Sequence, residues 1–262
     1  MLITVKAPDG FVINKGEDFI NAPGTGRIRN MAHIHLEDGA LGIEWVVLWN
    51  VAAAAALAVA IYLFGRSKPS TRRLAIAAMC IAVGFAVFQI EIPVFGGLHV
   101  NLTPFMGIIV GPVLGTMCVF IINLFSAAVG HGGWGLIGVN TLVNMVEVLI
   151  GYYLYRMIRV RLSRSRFSSA FVATSVGLAA SAVLVVVILS VSGIQESGLS
   201  GEQTLANLTI LGIADAVTGI VEGVLTGYIV SVIGRIRPDL LGETEKGHRQ
   251  GESSTAEASP SV

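Results

Sequence analysis

Residues 100–129 read VNLTPFMGIIVGPVLGTMCVFIINLFSAAV, thirty residues without one charged side chain. About 20 apolar residues cross a bilayer as a helix, so this run is too long for one crossing and too short for two. Gly111-Pro112 lies near its middle. Proline has no N–H to donate and clashes with the preceding turn, so a helix breaks there. The run is predicted to form a short inward helix over 100–111 and a return over 112–129. It makes either two passes or one deep re-entrant pair.

The flanking runs decide between one pass and two. Apolar stretches at 43–64, 74–92, 134–155, 167–193 and 205–234 read as membrane helices. Arg66, Lys68, Arg72 and Arg73 follow the first, Arg156, Arg159, Arg161, Arg164 and Arg166 follow the third, and Arg235 and Arg237 follow the last. Basic loops stay in the cytoplasm. A single pass over 100–129 would deliver the five arginines of 156–166 to the outside. The expectation is an all-α polytopic membrane protein of about seven segments, N-terminus outside and C-terminus inside. Interrupted helices at membrane depth line sites.

Composition agrees. Of 262 residues, 53% are hydrophobic and 13% charged, about half the charge of soluble domains. Zero net charge gives no reason to expect nucleic acid as a partner. Cys80 and Cys118 lie within apolar runs and read as buried thiols.

Residues 1–30 are polar and lack an apolar signal-peptide core. They are expected to be a disordered leader or an untranslated extension, with Met31 the favoured start. Residues 31–235 then form the membrane metal-binding domain, and 236–262 a disordered cytoplasmic tail. His33, His35, His99 and His131 all fall on the outer side, and His248 falls in the tail. Imidazoles suit nickel, copper, zinc and cobalt. The spacing His33-x-His35 suits a chain terminus. With Met31 removed, the Ala32 amine, the His33 amide nitrogen and the His33 imidazole supply three coplanar donors, and His99 the fourth. With Met31 retained, Met-Ala-His also chelates. Square-planar nitrogen is the geometry of Ni(II) or Cu(II), and low-spin Co(II) also accepts it.

Four segments carry a family resemblance. They are His33-Ile34-His35-x-x-Asp38-Gly39, Gly96-Gly97-Leu98-His99, Gly111-Pro112, and Ala127-x-x-Gly130-His131-Gly132-Gly133-x-Gly135-x-x-Gly138-x-Asn140. Over about residues 31–235 the chain resembles the CbiM/NikM family, the substrate-capture membrane components of energy-coupling-factor cobalt and nickel importers. The family opens Met-His-Ile, whereas here an alanine intervenes. The register matches once Met31 is removed. The resemblance implies Co(II) or Ni(II) as transported substrate, for cobalamin biosynthesis or nickel enzymes. It implies metal binding by the terminal amine, His33 and His99. It also implies a transmembrane coupling subunit, two ATPase subunits and a small accessory membrane subunit as partners. The absence of a nickel-specific C-terminal extension tilts the reading toward cobalt.

Other residues fill supporting roles. His35 is a further ligand candidate, and His131, Asn140, Glu91 and Asp38 are candidates to support ligands or loops. Glu147, Asp215 and Glu222 lie in or beside apolar runs, where carboxylates are costly. Asn101, Asn123 and Asn144 read mainly as packing. Ala78, Ala82 and Ala86 form one ladder of small residues and Gly107, Gly111 and Gly115 another. Internal packing explains both, the glycines above all. The resemblance offers the alanine face as the dock for the coupling subunit. The competing readings are a secondary transporter for a metal ion or small solute and an intramembrane metalloenzyme. The chain has no HExxH motif and no GxxxxGK[ST] phosphate loop. Residues 205–234 contain no lysine that could carry retinal.

Overall fold

The computed structural model describes residues 41–92, 98–162, 164–192 and 201–241, and the backbone alone within 91–92, 98–99 and 201–216. Among the described residues there are seven α-helices: α1 (Ile43–Ser67), α2 (Thr71–Phe88), α3 (Thr103–Val110), α4 (Pro112–Ala128), α5 (Ile137–Arg161), α6 (Arg166–Ser192) and α7 (Gly201–Ile236). Two-residue strands β1 (Glu91–Ile92) and β2 (Leu98–His99) pair between α2 and α3, and a short 3-10 turn at Pro238–Leu241 follows α7. Five helices are long and apolar enough to cross a membrane: α1, α2, α5, α6 and the Val217–Ile236 part of α7. The remaining two, α3 and α4, are the short pair expected from Gly111-Pro112.

That pair takes the form expected of it, a short helix and a return. Helix α3 has eight residues, about 12 Å of rise. Gly111 takes φ 89°, a left-handed conformation that glycine adopts without a Cβ clash. Pro112 then opens α4 at its first position, where its missing N–H costs nothing. The site of a Gly111 Cβ lies 3.9 Å from the Tyr152 ring, and Tyr152 is well short of the end of α5 at Arg161. The chain therefore turns back inside the bundle. At its other end, α3 starts beside Glu147, ten residues into α5.

Two helix boundaries also move. Helix α2 stops at Phe88, not at residue 92. Pro93 pushes the residue before it into extended backbone, and β-branched Ile90 and Ile92 favour that conformation as well. Glu91 is thus a strand residue, not the outer end of a helix. In contrast, Arg156, Arg159 and Arg161 ride on the last turns of α5 rather than in a loop. Arginine is a good helix former, and cations suit a helix C-terminus.

The glycine ladder packs α3 and α4 against α5. A Cβ at Gly107 would lie 2.2 Å from the Val148 carbonyl oxygen, and one at Gly115 would lie 2.6 Å from Val148 Cγ1. A further small-residue ladder, Gly219, Gly223 and Gly227, lets α7 close on Phe167, Phe171 and Ser175 of α6. Sequence reading had not singled it out. Cys80 and Cys118 are buried thiols, in one core cluster with Phe88, Met106, Ile122 and Val148. The alanine ladder behaves oppositely: Ala78, Ala82 and Ala86 are all exposed on α2.

Candidate functional site

The hairpin between α2 and α3 is the starting point. Glu91 pairs with His99, and Ile92 with Leu98. The two legs then diverge. One leads back to Gln89, whose Nε2 donates to Ser126 Oγ at 3.2 Å, near the end of α4. The other leads to Asn101, held deep in the bundle. The turn at 93–97 lies outside the described residues.

The loop between α4 and α5 lies beside the base of this hairpin. Gly130 and Gly132 take φ 84° and 80° on either side of His131. The His131 N–H donates to the Ser126 carbonyl at 2.8 Å. Its ring packs edge-on to Phe88, centroids 5.3 Å apart. His131 therefore stands against the last residue of α2, three residues before Glu91.

Helix α5 begins one short stretch later. Asn140, in its first turn, is buried, and its Oδ1 accepts no hydrogen bond. A buried carbonyl oxygen without a partner costs about 1–3 kcal/mol, so this atom is a free acceptor in an enclosed place. One turn further on, Asn123 of α4 donates to Thr141 Oγ1 at 3.4 Å, and Asn144 donates to Asn123 Oδ1 at 3.3 Å. Asn123 and Asn144 thus join α4 to α5, the packing role expected of them.

Helix α1 contributes a residue that sequence reading had missed. Asn50 Oδ1 accepts the Gly138 N–H at 3.1 Å, and Asn50 Nδ2 donates to the Gly135 carbonyl at 2.5 Å. One side chain thereby pins both ends of the turn that leads from His131 into α5. The signal was available: Asn50 is the only carboxamide in the apolar run 43–64. Trp49 Nε1 next to it donates to Ser192 Oγ at the end of α6, at 2.9 Å. Leu41, just ahead of α1, is buried with Leu136, Val139, Val185 and Ile188.

The carboxylates expected to be costly sit in a polar knot. Glu147 Oε2 accepts from Asn101 Nδ2 at 3.0 Å and from Thr103 Oγ1. Glu147 Oε1 accepts from Ser181 Oγ of α6 at 2.7 Å. Glu222 Oε2 of α7 accepts the Asn101 N–H at 3.2 Å. All five side chains are buried. The Asp215 side chain lies outside the described residues.

The opposite end of the bundle is basic. Asp239 pairs there with Arg72 of α2 and, at 3.1 Å, with Arg237. The two guanidiniums hold its carboxyl well below the usual carboxylate range.

The structure thus brings His131, the hairpin carrying Glu91 and His99, the start of α5 with Asn140, and Leu41 to one end of the bundle. Ala78, Ala82 and Ala86 lie apart, on the open side of α2. Met31, Ala32, His33, His35 and Asp38 lie outside the described residues. Among the described residues no three His, Cys, Asp or Glu side chains converge in a metal-binding group.

Comparison with known proteins places this architecture. The family described as "Cobalt uptake substrate-specific transmembrane region", CbiM, matches residues 35–240. A protein of Archaeoglobus fulgidus, by name a fused nickel transport protein NikMN, is 29% identical over 212 residues, 79% of this chain and 68% of that one. A protein of Haloquadratum walsbyi, by name a metal transport protein, is 30% identical over 212 residues, 79% of this chain and 93% of that one. The cobalt transport protein CbiM of Geobacter sulfurreducens is 28% identical over 222 residues, 80% of this chain and 62% of that one. A crystal structure of a truncated transition metal transporter superimposes with a TM-score of 0.67 at 20% identity, over 76% of this chain and 98% of that one. That likeness bears on the fold.

Proposed function

This chain belongs to the CbiM family of cobalt-uptake substrate-specific transmembrane regions, and on that premise we propose that it captures Co(II) or Ni(II) at the hairpin end of its bundle for ATP-driven uptake. It is a multi-pass membrane protein of a cobalt and nickel transport family, not an enzyme. The metal ion is its cargo. In the proposed site the Ala32 amine, the His33 amide nitrogen, the His33 imidazole and His99 bind the ion. His35 and Asp38 support the terminal segment, and His131, Glu91 and Asn140 support the ring ligands. If Met31 is retained, its amine takes the terminal position.

The placement of Leu41 carries this reading. It is buried among side chains of α5 and α6, at the end where His131 and Asn140 lie. An extended chain covers about 3.3–3.6 Å per residue, so the six residues from Leu41 back to His35 reach about 20 Å. In the proposed site this length of chain carries the terminal histidines back to His99 and Asn140. The free Asn140 Oδ1 is an acceptor suited to the N–H of a ligating imidazole, which orients the ring and raises its basicity.

The hairpin end then faces outward and the basic end the cytoplasm, as the positive-inside rule requires. Capture is followed by release when partner movement opens the site inward. The partners are a transmembrane coupling subunit, which docks at Ala78, Ala82 and Ala86, two ATPase subunits and a small accessory membrane subunit. The supporting observation is that this alanine face is exposed rather than packed inside. Small residues allow a partner helix to approach closely in lipid.

The test is metal content per protein after native purification, with the N-terminal peptide identified by mass. His33→Ala and His99→Ala should each lose most of the bound Ni(II) or Co(II). Full metal in both variants would overturn the site. Competition between Ni(II) and Co(II) on the parent protein decides which is the cargo, and cobalt is the proposed answer.

A further inference from the structure

We propose that Glu147 and Glu222 are positioning residues for the His99 limb of the metal site. The proposal rests on the reading of His99 as a ligand. Two residues beyond His99, Asn101 is gripped twice. Its backbone N–H donates to Glu222 of α7 at 3.2 Å, and its side-chain amide donates to Glu147 of α5 at 3.0 Å. Glu147 also accepts from Thr103 Oγ1 at the first position of α3 and from Ser181 of α6. Asn101 Oδ1 in turn accepts the Thr103 N–H at 3.1 Å. Four helices meet at one point, immediately after the strand that carries His99.

The backbone there is strained. Leu102, between Asn101 and Thr103, takes φ 55° and ψ 20°. A non-glycine residue in the left-handed region costs about 1–2 kcal/mol. Such a conformation persists where its surroundings over-determine it, and Leu102 is buried within this knot. The left-handed turn sets the angle between strand β2 and helix α3. The side chains whose bonds hold it are buried within the bundle. The two carboxylates therefore fix the exit of the His99 strand relative to α5 and α7. A metal site gains affinity from such preorganisation, because the ligand is ordered before the ion arrives.

The chemistry of substitution separates geometry from charge. In Glu147→Gln the amide carbonyl can still face Asn101 and Thr103. Its NH2 can face Ser181 Oγ, whose hydroxyl hydrogen then goes to the Leu178 carbonyl at 2.8 Å. In Glu222→Gln the carbonyl can still face the Asn101 N–H. Leucine at either position removes the acceptors.

The experiment is titration of the full-length, metal-free protein in detergent with Ni(II) alone. Parent, Glu147→Leu, Glu222→Leu, both glutamine variants and His99→Ala are compared, and each leucine change is also combined with His99→Ala. The leucine variants should bind Ni(II) about 10–100-fold more weakly, the scale of lost support around a ligand. The glutamine variants should recover most of that loss. In the His99→Ala background the leucine changes should add no further loss, because the limb they position no longer carries a ligand. Asn101→Ala removes the side-chain amide that Glu147 grips, and Glu222→Ala removes the acceptor of the Asn101 N–H, neither enlarging a side chain. Both should weaken Ni(II) likewise, and they decide the matter if a leucine variant fails to assemble. Parent-like Ni(II) affinity in the folded leucine variants, or in both Asn101→Ala and Glu222→Ala, overturns the proposal. So does an equal loss with and without His99, which is the signature of a merely structural role. Parent-like affinity in His99→Ala instead overturns the ligand assignment itself, a result distinct from either of those.

Discussion

Asn50 of α1 and Gly138 of α5 are locked together: the carboxamide oxygen accepts the glycine N–H at 3.1 Å, and a Cβ at Gly138 would lie 2.6 Å from Asn50 Cα. The contact joins α1 to the turn that presents His131. Asn50→Ala takes the acceptor from the buried Gly138 N–H, at about 1–3 kcal/mol, and removes its bond to the half-buried Gly135 carbonyl. Gly138→Ala forces backbone apart. Both variants should melt at lower temperature than the parent in a detergent thermal-shift assay. Parent-like melting in both would show that the contact contributes nothing.

Two helical glycines predict opposite responses to the same substitution. Gly107→Ala drives a methyl into the Val148 carbonyl, 2.2 Å away, where rigid backbone has to move. Overpacking of this kind costs about 1–3 kcal/mol. Gly65 near the end of α1 has nothing within 4 Å of its Cβ position. Gly65→Ala should be neutral or stabilising by up to about 1 kcal/mol, from helix propensity. The order of melting temperatures should be Gly65→Ala at or above the parent and Gly107→Ala well below it.

Ala78→Leu, Ala82→Leu and Ala86→Leu should fold and bind Ni(II) as the parent does, since these positions touch no core. Cellular metal uptake should fall, because a bulky side chain holds a docking helix away. Measuring bound metal and uptake side by side checks this. Uptake equal to the parent in the triple variant would remove α2 as the docking face.

Asp239 ties the start of α2 to the end of α7 through Arg72 and Arg237. Its folded carboxyl titrates lower than an unfolded aspartate. The pairing therefore contributes stability above the unfolded value, near pH 4, and loses it as pH falls through the folded one. Being exposed, it contributes little. Asp239→Asn should lower the melting temperature slightly at pH 7, and the difference should vanish in strong acid. A difference that grows toward acid would contradict the assigned pairing.

Much of the architecture was legible from residues alone. Lipid demands long uncharged runs, so the five spanning helices announce themselves. Gly111-Pro112 announces the short pair because proline breaks a helix when it falls in the middle of one. The hairpin was less legible. Glu91-Ile92 continues an apolar run, and only Pro93 hinted that the helix stops at Phe88. Asn50 was overlooked because a single carboxamide in an alanine-rich helix has no periodicity to give it away.

What the sequence determined is membership of the membrane class, the order of the apolar segments, and the histidines available to a metal. Tertiary structure decided which face of each helix looks inward. In water an amphipathic stripe reveals that face. In a bilayer both the lipid side and the interior are apolar, so two ladders with the same four-residue spacing look alike. One of them, Gly107-Gly111-Gly115, is sealed against α5, while Ala78-Ala82-Ala86 stands open. The same ambiguity hid the meeting of Glu147 and Glu222 at Asn101, because residues 46 and 121 positions away along the chain become neighbours only when the helices pack.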